Sequence, residues 1–389
     1  MKKQLIIGIL GFTTLIGTGC LAGWYFYYPH TERIYFPNGK IQSESTYRGS
    51  RRHGLSKTFY ANGKIRLAIT YRDDKIDGLF QQYYPNGQLM MSFIRHGEQV
   101  DGPMKEYYPN GQLRYEENYM NDALNGLSRE YYETGILKEE TIYQNNLKNG
   151  LSREFYPNGT PAIETPYTAD KINGIRKVYY PNGRLRMKVP FKENQAEGIA
   201  FTFYENGQTR AEIPYHADKI HGLMKEFDEQ GRLIGEYSYQ NDLRDGISKI
   251  FDENNSLLLE MPYWKGKANG ISVEYFFDGK IHGKIPYIND MKDGLAQFFY
   301  PDGKIAKEIV FSKDKFEGIS KNYHRDGTLM LEVFFRKDEI IEGYTYKTGK
   351  REQLSASELE TLKTLQHVLF YDNRSATEQI LDNLPTHSK

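Results

Sequence analysis

Gly150-Leu151-Ser152-Arg153-Glu154-Phe155-Tyr156-Pro157-Asn158-Gly159 decides the fold, because each of its two glycines belongs to a series that recurs every 24 residues. Gly159 is one of Gly39, Gly63, Gly87, Gly111, Gly135, Gly159, Gly183, Gly207, Gly231, Gly279, Gly303 and Gly327, with Asn255 in the one remaining slot. Gly150 belongs to a second series, from Gly54, Gly78 and Gly102 to Gly294 and Gly318, that follows the first by fifteen residues. A period this strict marks a repeat array in which every unit is one supersecondary element stacked on its neighbours.

With the turn residue numbered zero, four columns are apolar. Position minus 4 is aromatic in all thirteen units, plus 2 is Leu or Ile in eleven of thirteen, plus 8 is Tyr or Phe in twelve, and plus 16 is Leu or Ile in eleven of twelve. Such columns, broken by turn residues, read as strands. A two-residue Asn-Gly turn would send minus 4 and plus 2 to opposite faces, whereas a type I turn followed by a left-handed glycine pairs them directly. Pro37, Pro85, Pro109, Pro157, Pro181 and Pro301, two residues before their glycines, suit the first central position of that type I turn. Continued at period two, this register puts all four columns on one apolar face. It also pairs Tyr143 with Leu151 across a longer loop ending in Gly150. The expected fold is all-β: an elongated repeat array of 24-residue antiparallel hairpins, a twisted or coiled single-layer meander of about 26 strands.

The array occupies residues 32–346. Before it, in residues 1–31, Met1-Lys2-Lys3 precedes an uncharged, mostly apolar run from Leu5 to Tyr28, long enough to cross a hydrocarbon core of roughly 30 Å as a helix. The two lysines predict the amino terminus inside and the repeats in the periplasm or outside the cell. A transmembrane anchor, a lipoprotein acylated on Cys20 and a cleaved signal are the three readings of this segment. Cys20 follows Gly17-Thr18-Gly19, which matches a lipobox only in part. Residues 347–389 read as a helical cap: Ser355-Ala356-Ser357-Glu358 forms a capping box ahead of Leu359, Leu362, Leu365 and Leu369, and a second helix starts at Ser375. The cap is expected to cover the last strand edge.

Lys plus Arg and Asp plus Glu are balanced at 51 each, so no global basic field attracts nucleic acid. Cys20 is the one cysteine, which excludes an internal disulfide and a thiolate metal site, and the nine histidines show no ligand spacing. No cofactor is called for. Ser312-Lys313-Asp314-Lys315 and Lys347-Thr348-Gly349 match two penicillin-recognising motifs, but the first falls in an inter-strand turn and no Ser-Asp-Asn element lies between them. The sequence therefore predicts a non-enzymatic protein.

Units such as Gly126-Leu127-Ser128-Arg129-Glu130-Tyr131-Tyr132 and the opening stretch resemble the variant MORN repeat, the hairpin module of the YwqK-like antitoxin family. The resemblance covers residues 32–346. It implies toxin-antitoxin or immunity loci and protein or membrane binding, and brings no catalytic residues. The expected function is a membrane-anchored scaffold for protein–protein interaction, antitoxin-like or acting in the bacterial envelope, with binding of cell-wall glycan or lipid as the alternative. The candidate binding strip is the column at minus 3, Tyr60, Tyr84, Tyr108, Tyr132, Tyr156, Tyr180 and Tyr204, expected to point away from the apolar face. Rigid amphipathic rings give large contact area at low entropic cost.

Overall fold

The computed structural model describes residues 28–347 and 349–366, so the expectations for the apolar amino-terminal run, for Cys20 and for a second helix from Ser375 lie outside the described residues. Among the described residues no helix is long and apolar enough to cross a membrane.

Each repeat contributes one hairpin with the expected corner. Gly159 donates its N–H to the Tyr156 carbonyl at 2.8 Å, and Tyr156 donates to the Thr160 carbonyl at 2.9 Å, closing a three-residue loop. Every turn glycine of the first series has positive φ, between 79° and 95°, and Asn255 stands at 62° in its slot. This is the left-handed region that a Cβ disfavours. Asn158 fixes the corner by accepting the Thr160 N–H on its side-chain oxygen at 3.0 Å. Minus 4 pairs with plus 2 as expected: Tyr131 with Leu137, Phe155 with Pro161, Phe227 with Leu233.

The expectation that all four apolar columns share one face fails immediately beyond that pair. Tyr131 opposes Leu137 but Glu130 opposes Glu139, so Lys138 is an extra, unpaired residue. The same one-residue bulge recurs at plus 3 along the array. A single inserted residue reverses the side-chain parity of everything that follows it. The plus 8 aromatics therefore leave the face that carries minus 4, plus 2 and plus 16 and join the opposite one.

The second connection differs as well. Tyr143 pairs with Lys148 and Gln144 with Leu147, not with Leu151. A two-residue turn lies between them, Asn145 at φ 49° and Asn146 at φ 68°. Two left-handed central residues define the type I′ turn, whose twist suits a tight hairpin. The pattern repeats at Asn121-Asp122, Ala169-Asp170, Ala217-Asp218, Asn241-Asp242, Asn289-Asp290 and Lys313-Asp314. Gly150, at φ 131°, opens the continuing strand Gly150–Phe155 after a one-residue break at Asn149 instead of closing a long loop. Splitting of this kind raises the strand number from the expected 26 or so to 38 among the described residues.

The chain forms two compact units, one of residues 28–185 with 191–194, the other of residues 186–190 with 195–366. In the second, one face carries a continuous buried cluster that includes Met224, Leu259, Met261, Ile309, Phe316, Val333 and Phe335. In the first, the buried residues at inward positions are Ser56, Thr141, Ser152 and Thr165, while Ala68, paired with Lys57, is buried in the outward middle band. Thr141 and Ser152 satisfy each other there at 2.7 Å.

The helix Ala356–Gln366 opens with the expected capping box, in which the Ser355 N–H donates to Glu358 at 2.8 Å. Leu362 is buried in the second unit's core, and Leu354 and Leu359 lie over Gly343, where a Cβ would stand 2.9 Å from Leu354. The helix thus covers a face of the last long strand, while the edge is paired by the short strand Lys350–Gln353. That edge role was expected of the helix.

Candidate interaction surface

The bulge divides each hairpin into an inward and an outward side, and the outward side is banded. From the hairpin corner outward, it carries the minus 4 and plus 2 pair, then minus 6 opposite plus 5, then plus 16 opposite plus 7, as Tyr131 with Leu137, Arg129 with Glu140 and Leu127 with Ile142.

The middle band is an ion ladder. In the first unit it runs Lys105, Glu116, Arg129, Glu140, Arg153, Glu164, Lys177, with successive N···O separations of 3.0, 3.6, 3.6, 2.9, 3.6 and 3.2 Å. Each interior charge faces one opposite partner on its own hairpin and one on the next, so the ladder ties hairpins together through side chains. Its hydrogen bond to Glu116 raises the Lys105 pKa. Tyrosines of the corner band lean onto the same carboxylates: Tyr179 donates to Glu164 at 2.9 Å, Tyr275 to Glu260 at 3.0 Å and Tyr323 to Glu308 at 2.8 Å. Burial, then the bond to the carboxylate, pushes each of these phenols up to about 12.

The outermost band is aliphatic and bare. In the second unit Ile199, Leu223, Ile247, Ile271, Leu295 and Ile319 recur once per repeat at 45–59% exposure. The residues that follow them, Ala200, Met224, Ser248, Ser272, Ala296 and Ser320, are at most 4% exposed. Strand alternation produces that contrast, and it places the aliphatic side chains in a row whose members stand two strands apart, roughly 10 Å. In the first unit Leu55, Leu79 and Ile175 occupy the equivalent exposed positions. The sequence pattern places this column on one apolar face with the plus 8 aromatics, and the bulge that sends plus 8 to the opposite side has no residue signature: the plus 3 position holds Lys138, Ala162, Ile234, His282 and Met330 among others.

The tyrosine strip has a bond of its own. Tyr60, Tyr84, Tyr108, Tyr132, Tyr156 and Tyr204 donate their hydroxyls at 2.7–2.9 Å to the backbone carbonyl one repeat on, as Tyr132 does to Phe155. These rings and Tyr180 are half-buried. The side chains bind neighbouring repeats through their tips. At the other end of the hairpin the second I′ residue makes a matching clamp: Asn146 donates its N–H to the Leu124 carbonyl at 2.9 Å and accepts the Leu124 N–H at 2.7 Å. Asp122, Asp170, Asp242, Asp290 and Asp314 accept in the same way. Among the described residues no group of three or more His, Cys, Asp or Glu side chains is placed to hold a metal ion.

The model of the MORN repeat variant matches residues 31–48, 52–73 and 76–92, then every 24 residues from 100–121 to 316–337. Solved structures similar to the chain include a crystal structure of TcdB2-TccC3, at 12% identity over 85% of this chain and 21% of that one, with a TM-score of 0.17. Another is a Tc holotoxin pore of Photorhabdus luminescens carrying a TccC3 mutation, at 12% identity over 82% of this chain and 20% of that one, TM-score 0.17. The chain spans about a fifth of the length of these structures. No curated protein matches it significantly.

Proposed function

The chain belongs to the MORN repeat variant family, and from that membership we propose that it is a non-enzymatic scaffold that binds a protein partner along the bare aliphatic band of its second unit. The observation that carries this reading is the row Ile199, Leu223, Ile247, Ile271, Leu295 and Ile319, six large aliphatic side chains held in water on consecutive repeats. Isolated exposed leucines need no explanation, but an aligned apolar row rimmed by charge is the composition of a recognition surface. Burying one such side chain stabilises a complex by roughly 1–2 kcal/mol, so several acting together give a usable affinity. The proposal includes tethering through residues 1–31 with the repeats in the periplasm or outside the cell, and an antitoxin-like, immunity or envelope role.

The test is a triple variant, Ile247→Lys, Ile271→Lys and Leu295→Lys, compared with wild type in crosslinked pull-downs against envelope proteins and in binding to purified cell wall and lipid vesicles. The folded variant is expected to lose the protein captured by wild type. Retention of the same protein with unchanged yield would reject the band as the contact surface, and binding to wall or vesicles without any protein partner would favour the glycan or lipid alternative.

A further inference from the structure

In three hairpins the bulged residue at plus 3 reaches the acidic side chain at minus 5 of its own hairpin. Arg114 meets Glu106 at 2.8 Å, Lys138 meets Glu130 at 2.8 Å, and His282 Nδ1 lies 3.4 Å from Glu274. The two hairpins that follow the His282–Glu274 pair carry no such pair. The first sets Ala306 beside Phe298, leaving the space unfilled, and the next sets Met330 beside Asn322, supplying no donor. The result is a cavity of about 310 Å³ walled by Phe276, Phe298, Tyr300 and Tyr323. Asn322 is 4% exposed, lines the cavity, and its Oδ1 accepts no hydrogen bond. A buried acceptor without a donor is costly, and a ligand that supplies the donor recovers that energy.

We propose that this cavity is a binding site for a neutral aromatic ring carrying one hydrogen-bond donor, of the indole or phenol class, oriented by Asn322. The walls already meet in edge-to-face contacts, Phe276 with His282 at 4.6 Å and His282 with Phe298 at 6.2 Å, the geometry by which another ring would join them. The volume suits a small ring system. Lys307 lines the same cavity and disfavours a cation, while the Asn322 oxygen and the nearby Glu274 carboxylate disfavour an anion. The site is separate from the aliphatic band, and the inference does not rest on its role.

Titration of the whole protein with indole, and with indene as the isostere lacking the N–H, tests this by ligand-observed NMR. Wild type is expected to bind indole roughly tenfold more tightly than indene. In Asn322→Leu the preference is expected to vanish, with indene bound at least as well as by wild type. Ala306→Phe, which fills the cavity, is expected to abolish both, its fold checked by circular dichroism. Equal affinity for N-acetyltryptophanamide would assign the site to a partner's aromatic side chain; binding of free indole alone would assign it to a free small molecule. Absence of indole binding, or equal affinity for indole and indene in wild type, would overturn the proposal.

Discussion

Asn146 shows how much one residue carries in this fold. It sits at φ 68°, donates its own N–H to Leu124 and accepts the Leu124 N–H on its side chain. Substitutions separate these contributions. Asn146→Gly keeps the left-handed backbone and loses the side-chain clamp, which should cost about 1 kcal/mol. Asn146→Ala loses the clamp and keeps a Cβ in the left-handed region without the local hydrogen bonding by which Asn tolerates it, which should cost about 2 kcal/mol or more. Denaturant unfolding monitored around this repeat measures both, and equal losses would mean that backbone strain has no part. At this scale the corner was legible, because Tyr-Pro-Asn-Gly encodes a turn within four adjacent residues. The clamp was not, because its partners are 22 residues apart and Asn or Asp at a turn has a sufficient local explanation.

In the hairpin, the difference between the predicted and observed faces comes down to Lys138 and its equivalents. Columns on either side of the bulge were identified correctly, but the reversal between them depends on pairing geometry that no residue type at plus 3 enforces. The type I′ turn escaped notice because pairs such as Asn145-Asn146 and Ala169-Asp170 lack glycine, while the conspicuous Gly150 nearby drew the loop toward itself. The ion ladder offers the test at this scale. Burial alone would raise the Glu164 carboxyl, but hydrogen bonds from Tyr179 and Lys177, with the charges of Lys177 and Arg153, outweigh it and hold it below the usual carboxylate range. A carboxylate depressed by folding contributes its stability above the unfolded value near 4.5 and loses it as pH falls through the lower folded value. The thermal midpoint should therefore drop on acidification below pH about 4.5, and Glu164→Gln should flatten part of that drop. An unchanged pH profile in the variant would show that the pairing contributes nothing net.

Across the molecule, the repeats are alike at their corners and unlike in what they bury. The buried side chains of residues 28–185 are the small Ser56, Ala68, Thr141, Ser152 and Thr165, whereas those of residues 195–366 include Met224, Leu259, Met261, Ile309, Phe316 and Phe335 beside further Ser and Ala. Burial of larger apolar side chains contributes more stability. Hydrogen exchange resolved by peptide should show slower exchange between residues 211 and 335 than between 52 and 167, and uniform protection would refute the difference. Repeat boundaries and strand content at this scale were legible from periodicity, whereas the two-part division was not, since it follows from substitutions that leave the period intact. The bonds between successive hairpins have one more property: Tyr132 to Phe155 and Asn146 to Leu124 join positions 23 and 22 residues apart, and other repeats form the same bonds at the same separations. A block of 24 residues excised or duplicated by unequal recombination would rejoin its neighbours with every such bond re-formed. The gene can in this way lengthen or shorten its product in whole units, and each step moves the end of the bare aliphatic row by roughly 10 Å. Selection would then adjust the reach of the surface like a ruler, with the bonds between hairpins kept in kind.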